Sequence, residues 1–158
     1  AIFLAQGLQD KGDFEKAVYY LREALKTETE TDSRVSLLKQ LGVVELAANN
    51  IIGAMQAARE LREIDENNAY AYFIIANCYA SSGCVEAFWA AYDTMKKAEE
   101  LFEEGAEKEQ ARQMASAYAS RWPLSNDERF FMEGIKAGTV VTVPCGAAAG
   151  VRTTVRFR

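Results

Sequence analysis

The chain has 158 residues, of which 49% are hydrophobic and 26% charged, which is ordinary for a packed domain or a short repeat array. The formal net charge is −5, and an acidic protein repels a phosphate backbone, so nucleic-acid binding is disfavoured as the main activity. The sequence contains no histidine, which excludes Ser-His and Cys-His catalysis and most zinc sites.

Residues 1–26 are predicted to form two antiparallel helices joined by a turn. The second helix follows from "GDFEKAVYYLREAL", Gly12–Leu25, in which apolar residues recur every three or four positions and so share one helical face. Asp13 is the expected N-cap, because its carboxylate can accept hydrogen bonds from the free N–H groups of the first turn. Gly12 permits the reversal from the preceding helix.

The same arrangement returns twice, from Leu38 to Asn68 and from Ala69 onward. The polar stretch Thr27–Ser33 is predicted to be a surface loop, and Asn49 and Asn50 to form a turn, since asparagine tolerates left-handed backbone. Small residues recur near the middle of each predicted helix, where they are expected to let antiparallel helices approach closely. They are Ala5, Ala17, Gly42, Ala54, Ala76 and Ala87.

These motifs resemble the tetratricopeptide repeat (TPR) family, with three units over about residues 1–100. The resemblance lies in "LAQGLQDKGDFEKAVYYLREAL", "LLKQLGVVELAANNIIGAMQAARELREIDENN" and "YFIIANCYASSGCVEAFWAAYDTM". In the third, Ala87 comes one residue early after Gly83. The resemblance implies a right-handed helical-hairpin solenoid whose first helices line a concave, partner-binding groove. Transferred by motif, the groove residues are Ile2, Gln6, Gln9, Lys39, Val43, Leu46, Tyr70, Phe73, Asn77 and Ser81.

The last third of the chain is predicted to hold capping helices and a β-hairpin. An apolar stripe from Ala111 to Trp122, stopped by Pro123, predicts a helix over 106–122 that covers the end of the array; a degenerate fourth repeat is the alternative. "SNDE" from Ser125 predicts a capping box that opens a short helix ending at Gly138. We therefore predict a mainly α chain with an array over 1–122 and a tail over 123–158.

Two runs of β-branched residues flank "PCGAAAG" near the end of the chain and predict a β-hairpin. The second run alternates an apolar face, from Val151 to Phe157, with a basic one. We expect the apolar face to lie on the chain's own last helix or, alternatively, on a partner. The basic face could contact an acidic partner or RNA through Arg152, Arg156 and Arg158.

The three cysteines Cys78, Cys84 and Cys145 are predicted to be reduced thiols, with Cys78 and Cys84 as small buried side chains. Reduced thiols indicate an intracellular location, cytoplasmic or organellar. The chain does not begin with methionine, so a targeting segment could be missing. No apolar run approaches the length of a membrane span, and membrane contact is not expected.

The sequence therefore predicts a protein-binding adaptor or scaffold rather than an enzyme, with no catalytic residues, no metal ligands and no cofactor. Its expected partner is a helix or an extended hydrophobic segment. The alternative is a structural subunit embedded permanently in a large multiprotein assembly. A third reading, an RNA-contacting or chaperone-type TPR protein, rests on the C-terminal arginines and on the repeat number.

Overall fold

The computed structural model describes residue 7 and residues 12–158 of the chain. From residue 12 on they form seven α-helices, a 3-10 helix and two short strands, so the mainly α fold with a small C-terminal antiparallel sheet is confirmed. The elements are α1 (Phe14–Thr27), α2 (Thr31–Ala47), α3 (Ile51–Ile64), α4 (Ala69–Ala80), α5 (Val85–Leu101), α6 (Ala106–Ala119), α7 (Glu128–Phe131), β1 (Val140–Thr142), the 3-10 helix Gly146–Ala148 and β2 (Arg152–Thr154). None of the described helices is long and apolar enough to cross a membrane.

The chain divides into two compact units, the first up to Ile74 and the second Ile75–Arg158. The predicted division into 1–122 and 123–158 stays a prediction. In the first unit α1 packs on α2 and α2 packs on α3, as expected for helical hairpins. The core between them is formed by apolar side chains that recur at helical spacing on each element. They are Ala17, Leu21, Leu37, Leu41, Val44 and Ala57.

The turns of the first unit have the predicted local chemistry. Asp13 caps α1 by accepting from the Lys16 N–H at 3.3 Å, and Gly12 before it has a φ of 79°. Asn49 has a φ of 59°, in the left-handed region. Asn50 then caps α3 by accepting from the Gly53 N–H at 3.2 Å. The prediction of a turn at these two asparagines is confirmed.

The predicted close approach of helices at small residues is confirmed at Gly42. A Cβ atom at this position would lie 2.5 Å from Cδ1 of Ile74 and 3.6 Å from Cβ of Ala57. Any larger residue on α2 would therefore have to displace its neighbours. The other small residues of the pattern are also buried, except Ala5, which lies outside the described residues: Ala17, Ala54, Ala76 and Ala87.

The predicted surface loop over Thr27–Ser33 is too long at both ends, since α1 includes Thr27. Helix α2 already begins at Thr31, and only residues 28–30 connect it to α1. Glu30 is the N-cap, and its carbonyl accepts from the Arg34 N–H at 2.9 Å. The misassigned residues are polar because they form the exposed first turn of a helix, where Asp32 also complements the helix dipole.

In the second unit α5 packs on α6, and β2 lies on α5. Ala111, Ala115 and Tyr118 of the predicted apolar stripe are buried on α6. The predicted helix over 106–122 is too long at its C-terminal end, because α6 ends at Ala119 and the Trp122 N–H donates to the Ala119 carbonyl at 3.1 Å in a tighter turn. At the other end of this pair, Glu99 of α5 accepts from Lys96 at 2.6 Å and from Arg112 of α6 at 3.3 Å. These hydrogen bonds, led by the one from Lys96, lower the pKa of the Glu99 carboxyl.

The short helix after Pro123 differs from its prediction at both ends. Its N-cap is Asp127, which accepts from the Arg129 N–H at 3.0 Å, and not Ser125. The helix ends at Phe131 rather than at Gly138. Gly134, with a φ of 68°, already turns the chain toward the hairpin. Gly138 belongs to that hairpin, because its N–H donates to the carbonyl of Val155 at 2.8 Å.

The C-terminal hairpin is antiparallel, and its central pair is Val141 opposite Thr153. Thr153 and Val155 point inward and are buried, whereas Arg152 is exposed. The predicted alternation is therefore confirmed. Val155 packs with Trp89 of α5 and Phe130 of α7, and the indole N–H of Trp89 donates to the carbonyl of Arg156 at 2.9 Å. The hairpin thus lies on its own chain, as expected, but mainly on α5 rather than on the last helix, because Trp89 of α5 supplies the buried surface that Val155 meets.

Candidate partner-binding site

The predicted groove residues fall on α2, on α4 and in the turn that follows α4. Lys39, Val43 and Leu46 lie on one face of α2, one turn apart, and each is half-buried. Tyr70, Phe73 and Asn77 likewise share one face of α4, about one turn apart, and each is half-buried. Ser81 is exposed just after that helix. Ile2, Gln6 and Gln9 lie outside the described residues.

Within the first unit, the structure brings three of the predicted groove residues together. The Nζ atom of Lys39 lies over the Tyr70 ring, 3.7 Å from its centroid. The Tyr70 and Phe73 rings meet edge to face, with centroids 6.3 Å apart. We name Lys39, Tyr70 and Phe73 the aromatic cluster. A lysine held over a tyrosine ring makes a cation–π contact. The resulting surface is amphipathic, because apolar ring area adjoins one positive charge.

The C-terminal part of α4 has a different environment. The hydroxyl of Tyr118, on α6, donates to Oδ1 of Asn77 at 3.4 Å. Burial raises the pKa of the Tyr118 phenol to about 12, so the group is neutral at pH 7 and can donate. The Ser81 hydroxyl donates to the carbonyl of Cys78 at 2.6 Å. In the second unit the predicted groove positions are therefore engaged by the chain's own residues.

The three tail arginines, predicted as one contact face, have separate roles. Arg156 forms an ion pair with Asp93 of α5 at 2.6 Å, and its guanidinium lies 5.4 Å from the Tyr92 ring centroid and 5.7 Å from that of Trp122. The Nε–H of Arg158 donates to the Trp122 carbonyl at 2.8 Å. Arg152 is exposed. Two of the three side chains thus hold the tail to the second unit.

The expectation of three reduced thiols is wrong for two of them. Cys84 and Cys145 form a disulfide, and their Cα atoms are 6.4 Å apart. Cys78 is not part of a disulfide, and it is buried, as predicted. No short cysteine motif announces the bridge, because its two ends are 61 positions apart in the chain. The pairing of Cys84 with Cys145 depends on the position of the hairpin on α5, which the spacing of the cysteines does not determine.

A buried carboxylate was also missed by the sequence analysis. Glu45 is 1% exposed, and it accepts from Arg22 at 2.5 Å and from Asn50 at 2.7 Å. One signal was present in the sequence: Glu45 follows Leu41 by four positions and so lies on the apolar face of α2. A charge on that face requires a partner. The pair joins α1 to α2, and none of its members belongs to the aromatic cluster.

No family model matches the chain, and the search of curated proteins found no match for it either.

Proposed function

We propose that the chain is a non-catalytic interaction protein that binds a helix or an extended hydrophobic segment of another protein at the aromatic cluster. One observation carries the proposal: two aromatic side chains and a lysine are held against each other at a half-buried face of α2 and α4. Aromatic residues are enriched in protein interfaces, and tyrosine is among the residues that dominate their binding energy, because it contributes a large contact area at a small cost in side-chain entropy.

We further propose that the array is a TPR-like right-handed solenoid. The burial of small residues at Ala17, Gly42 and Ala54 supports this, as does the close approach of Ile74 to Gly42. In such an array α2 and α4 are the first helices of consecutive units. The aromatic cluster then belongs to the groove rather than to the convex side.

The partner should be amphipathic. Its apolar side chains would cover Tyr70 and Phe73, and a carboxylate placed beside them would meet Lys39. Lys39 is half-buried, so an ion pair formed there is screened less than one on the open surface. A helix with apolar residues three and four positions apart and one flanking acid has this pattern.

The experiment titrates a panel of acidic amphipathic 20-residue peptides into the full chain and measures binding by isothermal titration calorimetry. Scrambled versions of the same peptides serve as probes without helical patterning. Tyr70→Ala combined with Phe73→Ala should weaken the tightest binding at least ten-fold, while circular dichroism stays unchanged. The matched control is Tyr19→Ala combined with Tyr20→Ala, which removes another edge-to-face aromatic pair of the first unit. Equal losses in the two double variants, or none in either, would contradict the proposal.

A second function, that of a structural subunit embedded in a larger assembly, is favoured by a specific observation. Phe131 and Met132, next to each other at the end of α7, are 68% and 79% exposed. Two adjacent large apolar side chains left in water are typical of a contact surface. Phe131→Ser with Met132→Ser should abolish concentration-dependent association of the isolated chain in analytical ultracentrifugation. A wild-type chain that stays monomeric at high concentration would count against this function.

The compartment also stays a proposal. Disulfides persist in oxidising compartments and are rare in the cytosol. Of the two predicted locations, the bridge between Cys84 and Cys145 favours an oxidising organelle over the cytoplasm.

A further inference from the structure

The disulfide joins two segments that meet at the start of α5. Cys84 is the N-cap of this 17-residue helix, and no side chain caps the helix there. Cys145 occupies the equivalent position before the 3-10 helix Gly146–Ala148. Both cysteines are half-buried. Cys84 therefore stands at the N-terminus of α5, the end of a helix at which negative charge is stabilised.

The loop that carries Cys145 fits closely against Ser82. The N–H of Ala148 donates to Oγ of Ser82 at 3.4 Å, and Sγ of Cys145 lies 3.5 Å from the Ser82 carbonyl oxygen. A Cβ atom on Gly146 would lie 2.4 Å from the Ser82 side chain. Below this contact, Val143 and Ala148 cover the α5 residue Ala87. We name residues 144–149 the clamp loop.

The remainder of the hairpin is held by contacts that do not involve the disulfide. The Thr153 hydroxyl donates to Asp93 at 2.8 Å, and Trp89 donates to the carbonyl of Arg156 at 2.9 Å. The N–H of Gly150 donates to the carbonyl of Val143 at 2.9 Å, which closes the hairpin beyond the clamp loop. The clamp loop can therefore leave Ser82 while β1 and β2 keep their places.

We propose that the Cys84–Cys145 bridge is an exchangeable disulfide that acts as a redox latch on the clamp loop. In the reducing direction, a glutathione thiolate attacks Sγ of Cys145 and the Cys84–Cys145 bond breaks. The electron pair of that bond leaves on Sγ of Cys84, where the N-terminus of α5 stabilises the thiolate. A second glutathione thiolate then attacks the glutathione sulfur of the mixed disulfide and releases Cys145. Two electrons and two protons pass to the protein, and glutathione disulfide is formed.

The reduced state differs from the oxidised state in the clamp loop alone. The loop loses its covalent tie and keeps only its contacts to Ser82, so it opens and withdraws Ala148 from Ala87, whereas Val143 stays on Ala87. Opening of this kind is visible as faster amide hydrogen exchange. The strand pair and its contacts to α5 should retain their protection.

The experiment exposes the oxidised full chain to glutathione buffers of graded ratio at pH 7 without denaturant. Mass spectrometry of alkylated cysteines measures the reduced fraction, and hydrogen exchange is followed in parallel. We expect reduction with unchanged circular dichroism and with amide exchange at least ten-fold faster over residues 145–149, since Pro144 has no amide hydrogen. Exchange at Arg152–Thr154 should be unchanged. A bridge that stays intact in the most reducing buffer, or unaltered exchange of the clamp loop after reduction, would overturn the proposal.

A variant tests the role of Cys84 separately. In Cys145→Ser the bridge cannot form, and Cys84 remains as a thiol at the start of α5. An ordinary cysteine thiol has a pKa of about 8.5. The rate of alkylation of Cys84 by iodoacetamide should therefore reach half its maximum at a pH below this value. The buried Cys78 in the same molecule reports any unfolding. A midpoint at or above the ordinary value of about 8.5 would exclude Cys84 as the stabilised leaving group.

Discussion

The guanidinium of Arg22 donates to the buried carboxylate of Glu45 at 2.5 Å and so ties the exposed side of α1 to the end of α2. Asn50 donates to the second carboxylate oxygen at 2.7 Å. The site also requires Gly53, because a Cβ atom there would lie 2.7 Å from this carboxylate. Three successive elements thus meet at one buried charge.

Arg22→Ala should lower the free energy of unfolding by about 2 kcal/mol, because it leaves Glu45 buried with no cation. The figure is below that for a fully buried pair, since half of the Arg22 side chain is exposed. Lys26→Ala is the matched control: Lys26 is also on α1 and pairs with Glu23 at the surface, where an ion pair adds little. Urea unfolding followed by circular dichroism measures both. A loss no larger for Arg22→Ala than for the control would contradict the buried-pair argument.

Local chemistry made much of the fold predictable. Caps and turns such as Asp13 and Asn49 depend on residues within a few positions of each other. Helical periodicity alone predicts the helix contact at Gly42. The errors at Ser33 and Ser125 concern element ends. There several polar residues compete for the cap, and only the geometry of the backbone decides between them.

The pairings between distant residues could not be predicted in the same way. Arg22 and Glu45 are 23 positions apart, and Cys84 and Cys145 are 61 positions apart. Such contacts depend on the register of one helix against another and on where the hairpin lies. For the candidate site, the sequence identified Lys39 and Tyr70 as members of one surface, and the structure adds their stacking.

Gly146→Ala should destabilise the second unit more than the same change at Gly150. Both glycines have positive φ, 62° and 87°, so each alanine costs about 1–2 kcal/mol in backbone strain. At Gly146 the new Cβ would also lie 2.8 Å from Cα of Ser82, a backbone atom that cannot rotate away, whereas nothing lies within 4 Å at Gly150. We expect a total of about 3 kcal/mol for Gly146→Ala. The fluorescence of Trp89 and Trp122 reports unfolding of this unit.

Ser82→Gly separates steric overlap from backbone strain at this position. Combined with Gly146→Ala, it removes the Ser82 Cβ and Oγ atoms, which would lie 2.4 Å from the new methyl group. The double variant should therefore be more stable than the sum of the single changes predicts. Strict additivity would show that the overlap with Ser82 does not contribute.

The free energy of unfolding should decrease as the pH rises from about 10 to about 12, because of Tyr118. Burial raises the pKa of its phenol to about 12 in the folded chain, from an ordinary value of 10. The stabilising contribution is complete below pH 10, where both states are protonated. It is lost as the pH rises toward 12, because only the unfolded state releases the proton over this range. The loss amounts to up to about 2 kcal/mol.

Tyr118→Phe removes the phenol hydroxyl. The decrease in the free energy of unfolding that this hydroxyl causes between pH 10 and pH 12 should be absent in the variant. The comparison is made between wild type and variant at each pH, so the titration of other groups cancels. Tyr19→Phe is the control variant, because it also removes one phenol hydroxyl but at an exposed position on α1. A stability difference between wild type and Tyr118→Phe that stays constant from pH 9 to pH 12 would contradict the assignment.

Arg156→Ala should loosen the tail, whereas Arg152→Ala should not. Arg156 joins Asp93 in an ion pair and lies against the rings of Tyr92 and Trp122, so its loss should cost about 1–2 kcal/mol. Arg152 is exposed, and its replacement should change the free energy of unfolding by no more than about 0.5 kcal/mol. Arg156→Lys retains the charge without the planar guanidinium, and an intermediate loss is expected. Urea unfolding followed by tryptophan fluorescence compares the three variants. Equal stability of Arg156→Ala and Arg152→Ala would mean that the strand backbone and Trp89 hold the tail without help from the arginine.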